Sequence, residues 1–485
     1  MRSRVTPLVI CCSCLPFFGC AHVVPHRNQP PGVMKGTPQG LYTMTSHVRG
    51  IGPFTGSTTA LIAAEPAKNG FRANSRPGAV GDVLGGVAGV FVTVFGDRRV
   101  PGGAFLHWRS PLPEGDAPAR GVLSSPPAKL DAYFYSCEHP IELRAPGNER
   151  LFGLMTLEPA NAAEYPKTDF PALVDRIDAV LAENLFDAAA YDAPGTRAFL
   201  QQLRTASRKT RDDAEFLMAW ILATEHLSFT HCYIGRELSP EFEDRFTETS
   251  GVSPFAPSEP ITLTDDDGIV TLAIAHFDGE SYDEIDAAFA DIAERSPRGL
   301  IIDLRGNPGG TYVAGRVAAH LIERPVDAGV FFNRRARAQV LAGDLNEFPV
   351  VTSILSIDEF DSLIENHGAF RAEVHPVEPV YSGPVAVLVN RKVASACEPL
   401  VAGLQEVGRA TIIGERTAGA MLSVERFEIG EGWILWAPTV DYLTGKGVRL
   451  DRRGVLPDIE TTSAEAPAAA RKLLIAGCPK RNQGG

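Results

Sequence analysis

This chain of 485 residues is short of basic charge, of paired cysteines and of long apolar runs, and each shortage removes a class of function. Forty-six Lys and Arg against 59 Asp and Glu leave a formal charge of −13, which argues against a nucleic-acid role, and no nucleic-acid partner is expected. The acidic residues are spread rather than blocked, which signals solubility more than a partner. Past residue 20 there is no Cys-x-x-Cys pair, which argues against zinc ribbons and dithiol redox motifs. His226 and His231 are five apart and would not share a helix face, and Cys137-Glu-His139 is no better as a ligand set. No metal and no organic cofactor is implied. The apolar stretch 5–18 is too short to span a bilayer.

The most informative segment is Val393-Ala-Ser-Ala-Cys-Glu398. Before it, the β-branched run Pro384-Val-Ala-Val-Leu-Val-Asn390 reads as a buried strand. After it, Leu400, Val401, Leu404 and Val407 recur at helical spacing until Gly408. Ser395 therefore stands where backbone N–H groups and the positive end of a helix dipole converge, an environment that stabilises an alkoxide or oxyanion. The same four residues also fit a capping box, in which Ser395 and Glu398 satisfy orphan amides. Pro399 would prefer the first helical position and shift the cap to Glu398.

A second strand, Leu300-Ile-Ile-Asp-Leu304, runs into Arg305-Gly-Asn-Pro-Gly-Gly310 and then a helix from about Tyr312. A glycine-rich loop in that place lets amides approach a negative oxygen closely. No Lys-Ser/Thr follows Gly310 and no GxGxxG fits, so a phosphate loop is disfavoured. An oxyanion hole uses the same physics. Asp303 and Arg305 are expected to pair and brace the loop.

Together these segments resemble the C-terminal-processing (tail-specific) serine peptidases. The resemblance rests on Asp303-Leu-Arg-Gly-Asn-Pro-Gly-Gly310, the Ser395-Ala-Cys-Glu398 turn, Gly408-Arg-Ala410, Gly414-Glu-Arg-Thr-Ala-Gly419 and Gly454-Val-Leu-Pro-Asp458. It implies that Ser395 is the nucleophile and that an oxyanion hole forms from the Ala396 amide with one from Gly309 or Gly310. Many members place a lysine base just after the Gly-Glu-x-Thr-x-Gly motif, where this chain has Ala420 and Met421. Lys392 lies on a strand-to-turn stretch and is expected to point elsewhere. A serine needs a base, and Phe229-Thr-His-Cys-Tyr-Ile234 resembles the histidine segment of the tricorn-type branch. That likeness implies His231 as general base beside Thr230, and Asp451, in place of that branch's glutamate, as the orienting acid. The alternatives are a hydrogen-bonded core histidine at 231 and a surface partner of Arg452 or Arg453 at 451.

The resemblance also implies a fold: an α/β, ClpP/crotonase-like peptidase core over 265–460, after a helical segment, 160–235, that carries the base. Phe170, Leu173, Val174, Ile177 and Val180 keep a 3.6-residue period there, as do Phe216, Leu217, Trp220 and Ile221. Only about 35 residues separate Ile234 from Val270, too few for a PDZ domain, so tail specificity is not expected to come from one. Residues 37–150, punctuated by Gly and Pro, read as a β-rich N-terminal domain of open role. The stretch 325–380 reads as a lid or insertion, and 461–485 as a peripheral tail.

Residues 1–20 read as an export signal, with Arg2 and Arg4 before the apolar stretch. The ending Phe17-Phe-Gly-Cys20 resembles a bacterial lipoprotein signal and implies a lipid on Cys20, with ordinary cleavage as the alternative. Residues 21–36 read as a tether. The expected location is the cell envelope, with a membrane reached through the lipid. Cys137, Cys232, Cys397 and Cys478 remain, and no bridge is expected between Cys232 and Cys397; Cys397 is a weaker candidate nucleophile than Ser395. The expected function is an exported serine peptidase acting on proteins or peptides through an acyl-enzyme. The rivals are a catalytically inactive ligand- or peptide-binding member and an acyl hydrolase of another substrate class.

Overall fold

The computed structural model describes residues 167–237, 260–277, 282–353 and 356–477, and before them the backbone of the eight strands given next. The signal, Cys20, the 21–36 tether, Cys137 and Cys478 lie outside the residues described. Two compact units emerge, one of Gly19–Ala256 with Val424–Thr439 and the other of Pro257–Ser423 with Val440–Gly485.

In the first unit, β1 (Gly40–Val48), β2 (Gly56–Ala67), β3 (Gly70–Ser75), β4 (Gly103–Trp108), β5 (Ala119–Ser125), β6 (Ala128–Phe134), β7 (Ile141–Arg144) and β8 (Leu151–Pro159) pair antiparallel, each with the next. Strand β1 also pairs β8, so the meander closes on itself and leaves no edge there. Four helices follow: α1 (Phe170–Asn184), α2 (Ala188–Asp192), α3 (Pro194–Ser207) and α4 (Asp213–Thr224). Asp169 caps α1, whose Phe170, Leu173, Val174, Ile177 and Leu181 form its buried stripe. Phe170, Phe216 and Trp433 pack ring on ring. Strand β9 (Tyr233–Arg236) pairs Trp433–Trp436.

The second unit is built on a mixed sheet. Strands β10 (Ile261–Asp266) and β11 (Ile269–Ile274) are antiparallel; β11, β12 (Gly299–Asp303), β16 (Val385–Val389), β17 (Thr411–Gly414) and β20 (Ile459–Glu460) are parallel neighbours. Helices on both faces explain why these strands read as continuous apolar runs. Val270, Leu272, Leu300, Ile302, Val385, Val387 and Ile412 meet α5 (Asp283–Arg295), α6 (Ala314–Ala319) and α9 (Cys397–Glu406), while Ile269, Ile301, Ala386, Leu388 and Ile413 meet α10 (Ala466–Gly477).

Three sequence expectations change here. The 461–485 segment is no peripheral tail, since Ala466, Ala470 and Leu474 of α10 are buried under the sheet; alanine-rich helices pack closely because they keep little side chain between backbones. Residues 325–380 are no lid. They form β13 (Val326–Asn333), α7 (Arg337–Leu341), β14 (Val350–Val351), α8 (Ile357–His367) and β15 (Ala369–Val374), and Phe331, Phe360 and Phe370 stack inside the main core. Nor is the core continuous over 265–460, because 424–439, holding most of β18 (Ser423–Glu428) and the start of β19 (Trp433–Leu443), goes with the first unit.

Candidate active site

Parallel pairing brings the two chemistry-bearing segments together. Asp303, at the end of β12, is in register with Leu388 near the end of β16, so the loops that follow leave the same edge of the sheet. After β16 the chain turns sharply into α9, and Ser395 takes φ +52° to do so, a conformation costly for any residue with a Cβ. The Ser395 N–H donates to the Ala420 carbonyl (2.8 Å), and the Ser395 carbonyl accepts from Glu398 N–H (2.8 Å). Helix α9 has no side-chain cap, so Ser395 and Glu398 do not form the capping box. Among the described residues the Ser395 hydroxyl has no hydrogen-bond partner.

The glycine-rich loop lies against this turn. Asp303 and Arg305 form the expected brace, with Nε and Nη2 of Arg305 donating to the two carboxylate oxygens (2.8 and 2.6 Å). Asn307, fully buried, donates to the Ile274 carbonyl (3.0 Å) and accepts the Gly309 N–H on Oδ1 (2.8 Å). Its carbonyl accepts from Ala394 N–H (3.3 Å). Gly309 (φ +99°) is obligatory: a Cβ there would lie 2.6 Å from the Ser395 Cβ and 2.9 Å from the Ala396 nitrogen. Of the two loop amides suggested for an oxyanion hole, that of Gly309 is already held by Asn307. The N–H groups of Gly310 and Ala396 have no acceptor among the described residues.

Two buried carboxylates stand behind the turn. Glu398 Oε1 accepts from the Thr417 hydroxyl (2.5 Å) and Gly419 N–H (2.8 Å), and Oε2 from Ala420 N–H (2.7 Å). Burial pushes its carboxyl up to about 7, against the pull of these three donors. Asp451 is buried, not a surface residue, and forms an ion pair with Arg449 (3.2 Å). Arg449 also grips the buried Asp441 (2.8 and 3.0 Å). Asp451 Oδ1 accepts from Met421 N–H at 3.4 Å, next to the residue whose carbonyl holds Ser395. Cys397 is a free, buried thiol that burial holds protonated, which removes it as a nucleophile. Lys392 is exposed.

His231 and Thr230 belong to the other unit, between α4 and β9. The Thr230 hydroxyl and His231 Nδ1 are 2.8 Å apart, which leaves Nε2 as the ring atom for other work. Burial lowers the imidazole to about 4, so it is neutral, the form a general base requires. Its φ is +58°. Six described non-glycine residues have such a φ; Ser395 and His231 are two, and Arg452, directly after Asp451, is a third. Strain of this kind collects at functional sites.

Asn307 and Glu398 were not singled out as site residues from sequence. Asn307 carried a signal, as a buried-loop amide between two turns, whereas Glu398 read as a cap because its distant acceptor role needs the 417–420 loop. Among the described residues no group of His, Cys, Asp and Glu could hold a metal ion, and no helix is long and apolar enough to cross a membrane.

Comparison with known proteins agrees on the segment involved. Residues 268–461 match Peptidase family S41. A carboxyl-terminal-processing protease of Synechocystis sp. is 28% identical over 187 residues, 39% of this chain and 36% of that protein. A carboxy-terminal processing protease of Bacillus subtilis is 25% identical over 209 residues, 42% of this chain and 37% of that protein. The chain thus spans about a third of the length of the curated relatives it matches. Among solved structures, a lipoprotein from Streptococcus agalactiae aligns with TM-score 0.43 and 16% identity, over 64% of this chain and 98% of that one.

Proposed function

We propose that this chain is a serine-type peptidase of the S41 kind, cleaving protein or peptide substrates through an acyl-enzyme. Ser395 Oγ attacks the scissile carbonyl carbon. His231 takes the hydroxyl proton on Nε2 and returns it to the leaving amine, with Thr230 holding Nδ1. The amides of Gly310 and Ala396 receive the tetrahedral oxyanion. Water, deprotonated by the same imidazole, then attacks the ester and releases the acid. Asp451, paired with Arg449, supplies negative potential for the imidazolium. The observation that carries this reading is a serine held at φ +52° at a helix start, its hydroxyl and the Gly310 and Ala396 amides without partners among the described residues.

The base marks the tricorn-type branch, in which a histidine replaces the lysine that Ala420 cannot supply. The short stretch before β10 supports recognition without a PDZ groove. The N-terminal segment supports export and a lipid on Cys20, to be tested by palmitate labelling of wild type and Cys20→Ala. The central experiment is labelling by a fluorophosphonate, which should modify wild type but not Ser395→Ala. Absence of labelling anywhere between about pH 6 and 9 overturns the assignment.

A further inference from the structure

Glu398 is on the first turn of α9, three residues past the nucleophile, and its side chain is fully buried. Two of its three partners can only donate. The Thr417 hydroxyl donates to Glu398 while accepting the Val455 N–H (2.7 Å), and the other two partners are backbone N–H groups, which can only donate. Three donors and no acceptor among the described residues is a receptor for a carboxylate anion. The bound segment is the one opposite Ser395: Ala420 gives its N–H to Glu398 and takes the Ser395 N–H on its carbonyl, so a single residue links the carboxylate to the nucleophile's turn.

We propose that Glu398 is a positioning residue for Ser395: as an anion it clamps Gly419 and Ala420, and through the Ala420 carbonyl it holds the left-handed turn that presents the hydroxyl. This rests on the peptidase reading above for its consequence, though not for the clamp itself. The ionisable groups around the carboxylate are few. Cys397 neighbours it on the same helix and stays protonated; Asp451 approaches from beyond Met421 and is paired with Arg449. Desolvation, helped by Asp451, makes the anion form across neutral pH. Below that range the carboxyl holds a proton that can only go to the remaining lone pair of the Thr417 hydroxyl, which then no longer donates to it, or point at an N–H, and the clamp slackens. The acid limb of activity near pH 7 then belongs to Glu398, because burial has already moved His231 to about 4.

The test follows fluorophosphonate labelling and amide hydrogen exchange of the 417–421 segment from pH 6 to 9, on the full chain. Wild type should label about tenfold faster at pH 8 than at pH 6, with protection of 417–421 rising in step after correction for intrinsic exchange, because this local opening breaks the three bonds while Glu398 stays buried, whereas global unfolding hydrates the carboxylate. Glu398→Gln sets an amide NH2 against a backbone donor; it should lose both pH dependences, label at least about tenfold more slowly and keep KM within about twofold. Thr417→Val removes one of three donors to the anion and should move the wild-type midpoint upward, which keeps the test open should the Gln variant not fold. Wild-type midpoint and labelling rate in Glu398→Gln, unchanged protection at 417–421, or an unmoved midpoint in Thr417→Val would each overturn the proposal. If wild type never labels, the peptidase reading falls, and hydrogen exchange alone decides the clamp.

Discussion

Gly310 and Gly306 separate two meanings of a positive φ. A Cβ on Gly310 would lie 1.8 Å from the Phe277 carbonyl oxygen, whereas Gly306, at φ +88°, has nothing within 4 Å. Gly310→Ala must displace β11's continuation and the candidate oxyanion amide, so peptidase turnover should fall at least about a hundredfold. Gly306→Ala meets only backbone strain, about 1 kcal/mol in a melt, with activity nearly intact. Equal losses would mean that the loop's position matters less than its flexibility.

His231 and Glu398 make opposing contributions to stability. His231 falls from its usual 6.5 to about 4, so the unfolded chain binds the extra proton between those values, and stability drops as pH falls through that window. Glu398 rises from 4.5 to about 7, so the folded chain binds the extra proton, and stability drops as pH rises through that window. Each contribution is at most on the order of 3 kcal/mol. In urea unfolding from pH 5 to 7, Glu398→Gln should therefore gain stability with rising pH and His231→Phe should lose it. Slopes of the same sign in both variants would refute the assignment of these shifts to burial.

The last helix adds a test of its own. Leu474 of α10 is buried under β12 and β16, so Leu474→Ala should destabilise the second unit by about 2–5 kcal/mol, which a peripheral tail would not do.

For the molecule as a whole, local pattern determined a good deal. Apolar runs marked β12 and β16, the 3.6-residue period marked α1 and α4, and Asp303 with Arg305 were readable as a brace, because strand burial, helix faces and i,i+2 pairing are short-range properties. Motif order pointed to Ser395 and to the absent lysine at Ala420. Tertiary structure alone decided the rest. Sequence spacing could not show that Asn307 takes the Gly309 amide, that Glu398 serves the 417–420 loop rather than its own helix, or that Asp451 is buried against Arg449, since each partner is supplied by a distant stretch of chain. The same holds for the last helix and the 325–380 strands: an alanine-rich or Phe-punctuated segment carries no mark of the surface it covers until the sheet that needs covering has formed.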